Sequence, residues 1–281
     1  MSFQDLIKTA KIKTFRKGEI IFKENDSAES GLYYVISGDL SSVSEVDGKK
    51  VFLNPIPAKT FFGEIALVLN TKRNATVYVE SEEARVAAFN KESFIKEAKS
   101  NPKFVKSLFD LGLERLISLE DKYFFNRKES NLYQPNPEFE KIQIENRTIQ
   151  LNLWDSVSGE EVIHVLPNSA IFKDGDDSDG FFYLILEGDI SLYKTLEGKQ
   201  VEIWKKNTGD YFGYSTLQKY SKRFFTAQSE KGCRLLPLDQ SSIFAMLQAS
   251  PENFYYLFKY IVTDLIIIQS LYLSDAKEKA E

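Results

Sequence analysis

At 281 residues, with 43% apolar residues and a net charge of −5, the chain is long enough for two domains that each bury a core. A pI near 5.3 argues against a dedicated nucleic-acid binder, which would carry a basic patch. Lone Cys233 excludes an intramolecular disulfide, and the Met1–Lys8 opening lacks the basic-then-apolar layout of a signal peptide, so a cytoplasmic protein is expected.

In chain order, Phe3, Leu6, Ile7 and Ala10 have helical spacing. Short runs rich in Val, Ile, Tyr and Phe follow, separated by turn signals such as Ser37-Gly-Asp39 and Asp47-Gly48, which predicts an antiparallel sandwich or jelly roll. The roll is interrupted by Phe62-Gly-Glu-Ile-Ala-Leu-Val-Leu-Asn-Thr-Lys-Arg-Asn-Ala-Thr76, the segment richest in chemistry. Gly63, lacking a Cβ, lets the backbone approach a ligand closely. Glu64, Ile65 and Ala66 open a short helix whose free N–H groups suit an anion. Arg73 offers a permanently charged fork for phosphate oxygens. Glu64, acceptor-only when ionised, suits a sugar hydroxyl instead. Together they fit a cyclic phosphate joined to a ribose. The plainer reading is a buried turn–helix segment with a solvated arginine.

Asn90 starts a helix, and Leu108, Leu111, Leu116, Leu119 and Tyr123 give another from Ser107 to about Tyr123. The polar stretch 126–138, with Pro135 and Pro137, is the expected linker between a first domain at 1–125 and a second at 139–281. Alternation at Ile142/Ile144 and Ile149/Leu151/Leu153 then predicts a strand pair.

Displaced by 150 residues, the sequence matches itself without gaps. Ile21-Phe-Lys falls on Ile171-Phe-Lys, Tyr33 and Gly38-Asp39 on Tyr183 and Gly188-Asp189, and Lys72-Arg73 on Lys222-Arg223. This is a domain duplication. The second motif reads Phe212-Gly-Tyr-Ser-Thr-Leu-Gln-Lys-Tyr-Ser-Lys-Arg-Phe-Phe-Thr226, so Tyr214 replaces Glu64 and Phe225 replaces Ala75, while Gly213 and Arg223 persist. The second copy is therefore expected to have lost its site, leaving Arg223 a structural cation. A helix from Gln240 and one from Phe254 end the chain. The latter is about long enough to span a bilayer, but Lys259, Asp264 and Gln269 interrupt it. Its stripe of Leu257, Ile261, Leu265, Ile268 and Tyr272 instead suggests packing or a homodimer contact.

The Phe62–Thr76 segment resembles the phosphate-binding cassette of the cyclic nucleotide-binding domain family, whose members include catabolite-activator-type regulators and protein kinase A regulatory subunits. The resemblance implies two eight-stranded β-rolls with flanking helices. It implies that Arg73 grips the exocyclic phosphate oxygens, that the amides at Gly63, Ile65 and Ala66 complete an anion nest, and that Glu64 accepts from the ribose 2′-hydroxyl. Ala75 and Leu67 would be permissive packing, and Val51 or Leu53 would line the base side. Lys72 stands where proline is common. Asn74 stands where the family places a residue that touches the purine, which leaves cAMP and cGMP both open as ligands. Tyr123, Phe124 and Phe125 are candidates for a base cap, with core packing as the plainer reading for each.

No cofactor is expected and no enzyme constellation is present: His164 is the one histidine, too few for a cupin-type metal site. Cys233 reads as buried and structural. The acidic run Asp174–Asp179 lacks the closing glutamate of a calcium loop. With no helix-turn-helix or kinase signature after the second copy, the reading is a tandem-domain sensor that binds a cyclic nucleotide in the first copy and signals through an unknown protein partner or self-association, with neither nucleic acid nor membrane as partner. Its rivals are a site for another anionic messenger, such as a cyclic dinucleotide, and a pure scaffold.

Overall fold

The computed structural model describes residues 10–28, 31–126, 137–154, 161–196, 198–217 and 222–278. The chain divides into two compact units, Met1–Leu119 with Phe258–Glu281, and Glu120–Leu257. The division assigns most of the final helix to the first unit, where 139–281 was the expected second domain. The predicted helix at Phe3–Ile7 and most of the predicted linker, with Pro135, lie outside the described residues.

The first unit holds eight strands: β1 (Lys11–Arg16), β2 (Ile20–Phe22), β3 (Leu32–Ser37), β4 (Leu40–Val46), β5 (Lys49–Ile56), β6 (Phe61–Phe62), β7 (Thr76–Val79) and β8 (Glu83–Phe89). They form two antiparallel sheets, ordered β1-β8-β3-β6 and β2-β7-β4-β5. Side chains that alternate inward, among them Phe22, Tyr33, Val35, Leu40, Ile56, Phe62, Val77, Val79 and Val86, make one core. The sheets are antiparallel and covered on one face, so strand periodicity was readable in the sequence.

The second unit repeats this plan with β9 (Ile163–Val165), β10 (Ser169–Phe172), β11 (Phe182–Glu187), β12 (Asp189–Leu196), β13 (Lys199–Asn207), β14 (Tyr211–Phe212), β15 (Thr226–Ser229) and β16 (Cys233–Leu238). Its sheets run β14-β11-β16-β9 and β10-β15-β12-β13, the same order shifted by one copy. Even the bulges recur. Register slips at Ile20/Phe22 and Val35/Ser37 return at Ala170/Phe172 and Ile185/Glu187. Bulges bend strands at fixed places, so their repetition marks a duplicated backbone and not merely a duplicated composition.

Among the described residues six α-helices accompany the rolls: α1 (Glu64–Leu69), α2 (Lys91–Ser100), α3 (Pro102–Asn126), α4 (Pro137–Trp154), α5 (Gln240–Ala249) and α6 (Pro251–Glu278). Three begin on proline, whose fixed φ and missing N–H suit the first helical position. Asn90 caps α2 by accepting from the Ser93 amide at 2.7 Å. Asp239 caps α5 in a reciprocal capping box with Ser242.

The expected strand pair at 141–154 is instead α4. Its buried stripe is Gln143, Asn146, Gln150 and Trp154, all at most 5% exposed and spaced for one helical face, while Ile144 is 53% exposed. The C-terminal half of this stripe is hydrogen-bonded, while Gln143 Nε2 is buried without a hydrogen-bond partner. Trp154 Nε1 donates to the Tyr211 hydroxyl at 2.6 Å, and that hydroxyl donates to Gln150 Oε1 at 3.0 Å. Alternation among Ile and Leu therefore misled, because the face that packs is largely amide.

By length and composition α6 could cross a membrane, yet 67% of its most apolar window is buried within the protein. Leu257, Ile261, Leu265 and Ile268 are at most 2% exposed. Phe258 and Ile261 lie against Gly112 of α3, where a Cβ would approach the Phe258 ring to 3.1 Å. Four of the five residues of the stripe are thus covered within a single chain, and Tyr272 is half-buried.

Candidate functional site

The cassette turns at Gly63, the residue before α1, which adopts φ +80°. That left-handed conformation favours glycine, and an added Cβ would also sit 2.7 Å from Arg73 Nη1. α1 is short and wholly buried, so Glu64 is carried into the interior at 0% exposure. A buried carboxylate needs a partner. Glu64 Oε1 is ion-paired with Arg115 Nη1 of α3, whose Nη2 also donates to the Phe61 carbonyl at 2.8 Å. Its second oxygen, Oε2, is buried with no hydrogen-bond partner.

Glu64 faces a cavity of about 40 Å³, room for a few water molecules and far less than a nucleotide. Gly63, Glu64, Ile65, Asn74 and Ala75 line it, so five of the seven predicted residues of the first site converge there. Leu53 lines it as well, where Val51 does not. The remaining wall comes from Phe22, Ser42, Asn54, Ile56, Phe62 and Val77 of the roll, from Arg115, and from Leu265 and Gln269 of α6.

Arg73 and Ala66 are not on that wall. Arg73 is 2% exposed. Its Nη1 donates to the Gly63 carbonyl and its Nη2 to the Gly31 carbonyl, each at 2.7 Å, and the guanidinium lies 4.3 Å from the Phe22 ring centre. Burial pulls its pKa below the usual arginine value, opposed by Tyr33, Glu64 and Asp26. In this conformation the predicted phosphate ligand ties three pieces of backbone together.

The second copy holds its arginine in the same way, although Tyr214 stands there in place of Glu64. Arg223 Nη1 donates to the Gly213 carbonyl at 3.0 Å and Nη2 to the Phe181 carbonyl at 2.7 Å, with the Phe172 ring 4.2 Å away. Each partner is the 150-residue counterpart of one held by Arg73. The closing threonines are likewise equivalent: Thr76 Oγ1 accepts from the Glu24 amide at 3.0 Å, and Thr226 Oγ1 from the Asp174 amide at 3.1 Å. Arg223 has a further partner in Asp179.

What differs is the interior. Tyr214 opens a 3-10 turn, Tyr214–Leu217, in place of α1. It is 3% exposed and donates to Glu120 Oε1 at 2.9 Å. Phe225 is 4% exposed with its ring 5.8 Å from Phe172, adding to an aromatic cluster with Phe212 and Tyr183. Aromatic rings occupy the volume that Ala75 leaves open in the first copy.

Of the three proposed base caps, Tyr123 is 2% exposed and belongs to the second compact unit; it does not line the first-copy cavity. The Phe124 and Phe125 side chains lie outside the described residues. Sequence reading missed Arg115, Leu265 and Gln269. Arg115 interrupts the apolar stripe of α3, and that interruption was the available signal. His164 is exposed on β9. Burial raises the Cys233 thiol pKa, as suits a structural cysteine. No group of three metal-ligating side chains occurs among the described residues. The acids of 174–179 are spent locally, Asp174 on Lys194 at 2.9 Å and Asp177 on Lys222 at 2.6 Å.

Comparison with known proteins converges on the same two segments. A cGMP-dependent protein kinase of Toxoplasma gondii is 26% identical over 222 residues, covering 78% of this chain and 18% of that protein. The cAMP-dependent protein kinase type II regulatory subunit of Drosophila melanogaster is 26% identical over 206 residues, covering 73% of this chain and 46% of that protein. The chain thus spans less than half the length of either relative. Among solved structures, the regulatory domain of Toxoplasma gondii PKA with cAMP is 19% identical, with 99% of this chain and 90% of that one covered and a TM-score of 0.31. The regulatory subunit of a cAMP-independent protein kinase A from Trypanosoma brucei is 16% identical, covering 88% and 79%, with a TM-score of 0.32. The family model for the cyclic nucleotide-binding domain matches residues 12–101 and 162–250, each a roll with the helix that follows it, and the chain belongs to the cyclic nucleotide-binding domain family.

Proposed function

We propose that the protein is a non-catalytic sensor of a cyclic mononucleotide, cAMP or cGMP, that takes its ligand in the first copy and signals through a protein partner or self-association. The observation that carries the reading is Glu64. A carboxylate at 0% exposure, oriented by Arg115 and presenting an unpartnered buried oxygen beside a cavity, is an acceptor held ready for a hydroxyl. A ribose 2′-hydroxyl supplies that donor. Gly63 allows the cyclic phosphate to approach the backbone, and Arg73, next to Gly63, has N–H groups that can exchange a carbonyl for a phosphate oxygen. The cavity must expand to admit the ligand, so binding is coupled to movement of its wall. The second copy, with Tyr214 and Phe225 inside, takes no nucleotide.

Calorimetric titration of the full chain with cAMP, cGMP and a cyclic dinucleotide tests this. One cyclic mononucleotide should saturate at one per chain. Glu64→Gln should weaken it on the order of 10-fold or more, the worth of a hydrogen bond to a charged acceptor. If no cyclic mononucleotide binds, or if Glu64→Gln binds as the wild type does, the reading fails. Saturation at two per chain refutes the assignment of the second copy.

A further inference from the structure

Apart from Glu64 and Arg115, the cavity wall carries few polar side chains. The Ser42 hydroxyl is engaged by the Asn54 backbone across β4 and β5, donating to its carbonyl at 3.1 Å and accepting from its amide at 3.2 Å. Besides Asn54 the lining has two carboxamides, Asn74 and Gln269, set among Leu53, Ile56, Ala75, Val77 and Leu265. They bind each other twice. Asn74 Nδ2 donates to Gln269 Oε1 at 2.9 Å, and Gln269 Nε2 donates to the Asn74 carbonyl at 2.8 Å. Gln269 is 5% exposed, so its amide has been taken out of water to make this pairing.

A carboxamide presents a donor and an acceptor side by side, matching the edge of a nucleobase. An aliphatic surround with a carboxamide set in it is what a flat heteroaromatic ring requires: contact on its faces and two hydrogen bonds on its edge. The exchange also orphans no group on Gln269, because each of its hydrogen bonds to Asn74 is replaced by one to the ring. We propose, building on the cyclic-nucleotide reading above, that Gln269 of α6 reads the nucleobase and determines specificity for it. Its amide releases Asn74 to pair with the base edge, and Leu265, one helical turn before it, packs on the ring. The specificity element of the first copy is thereby carried by the last helix of the chain.

The test is the cAMP-to-cGMP affinity ratio of the full chain, measured by calorimetry for wild type, Gln269→Leu and Gln269→Glu. A bidentate contact discriminates between bases by roughly 5-fold to 150-fold, so Gln269→Leu should shift the ratio about 10-fold. Gln269→Glu, which keeps the size and loses the donor, should also shift it, and decides the matter if the leucine variant does not fold. In the wild type, the Gln269 side-chain amide resonances should move on saturation with ligand. If both nucleotides change affinity by the same factor, or those resonances stay in place, Gln269 is only a latch and the assignment is overturned. A wild type that binds neither nucleotide refutes the cyclic-nucleotide reading itself, a different outcome from binding with an unchanged ratio.

Discussion

Replacing Arg115 with alanine is the sharpest perturbation of the first unit that the structure offers. Arg115 is 11% exposed and Glu64 1% exposed at the side chain, so the substitution leaves a carboxylate in the interior without its counter-ion. It also strips the Phe61 carbonyl of a donor at 2.8 Å. Breaking one partner of a buried pair costs about 3–5 kcal/mol. The lower end applies here, because the vacated guanidinium volume admits water to Glu64. About 3 kcal/mol should lower the melting temperature of the first unit by roughly 10 °C. Differential scanning calorimetry reports both units. Trp154 and Trp204, the two tryptophans of the chain, belong to the second unit, so tryptophan fluorescence provides an internal control that should stay put. Adding Glu64→Gln to Arg115→Ala removes the stranded charge and should recover about half the loss. The reasoning is refuted if Arg115→Ala costs under about 1 kcal/mol, or if the double variant is no more stable than the single one.

Three further expectations follow from named contacts. Arg73→Lys keeps the charge but cannot span the Gly63 and Gly31 carbonyls, so it should destabilise the first unit by about 2 kcal/mol in calorimetry even without ligand; an unchanged melting temperature would show that Arg73 serves only the ligand. Tyr214→Glu alone should leave calorimetric stoichiometry at one nucleotide per chain, because Phe225 still fills the second roll; a second equivalent would contradict that. Asp239→Ala should cost about 1 kcal/mol by urea unfolding above pH 5. Hydrogen bonds from the Ser241 side chain and then the Ser242 amide hold the Asp239 carboxyl below its usual 3.8, so its contribution is complete above the unfolded value and is lost as pH falls through the lower folded one. The gap between wild type and variant should begin to narrow near pH 4 and close only below the folded value, and a gap that does not narrow with acid would point to a different cause.

The repeat made much of the fold legible. A 150-residue displacement carries turns, aromatic pairs and cassettes together, so strand order in one copy implies strand order in the other. The failure at 141–154 has a local cause. Pattern reading assumes that the packed face is apolar, and α4 instead buries Gln143, Asn146 and Gln150, the last held by hydrogen bonds to Tyr211 and to the Tyr256 carbonyl. That α6 reaches the first-copy cavity was illegible for a non-local reason. Gln269 looked like a polar interruption of an apolar helix. Its meaning lies in Asn74, 195 residues away, and no local period reports such a contact. Arg73 was read for its charge alone. That Arg223 keeps the same carbonyls without the carboxylate shows that the cassette arginine is also part of the framework, and a motif cannot separate the two roles.

The first unit is discontinuous, with Met1–Leu119 completed by Phe258–Glu281. During synthesis the first roll emerges before the whole second roll and before α6, which lines its cavity. Until then Leu53, Ile56 and Val77 border an unfinished wall, and the closing contact must pay for joining ends separated by an entire folded unit. A nascent chain can therefore hold a complete roll and still lack a finished cavity. The ability to bind would be acquired only once α6 has left the ribosome, and a chain truncated before Phe258 would retain the cassette without the helix that closes over it.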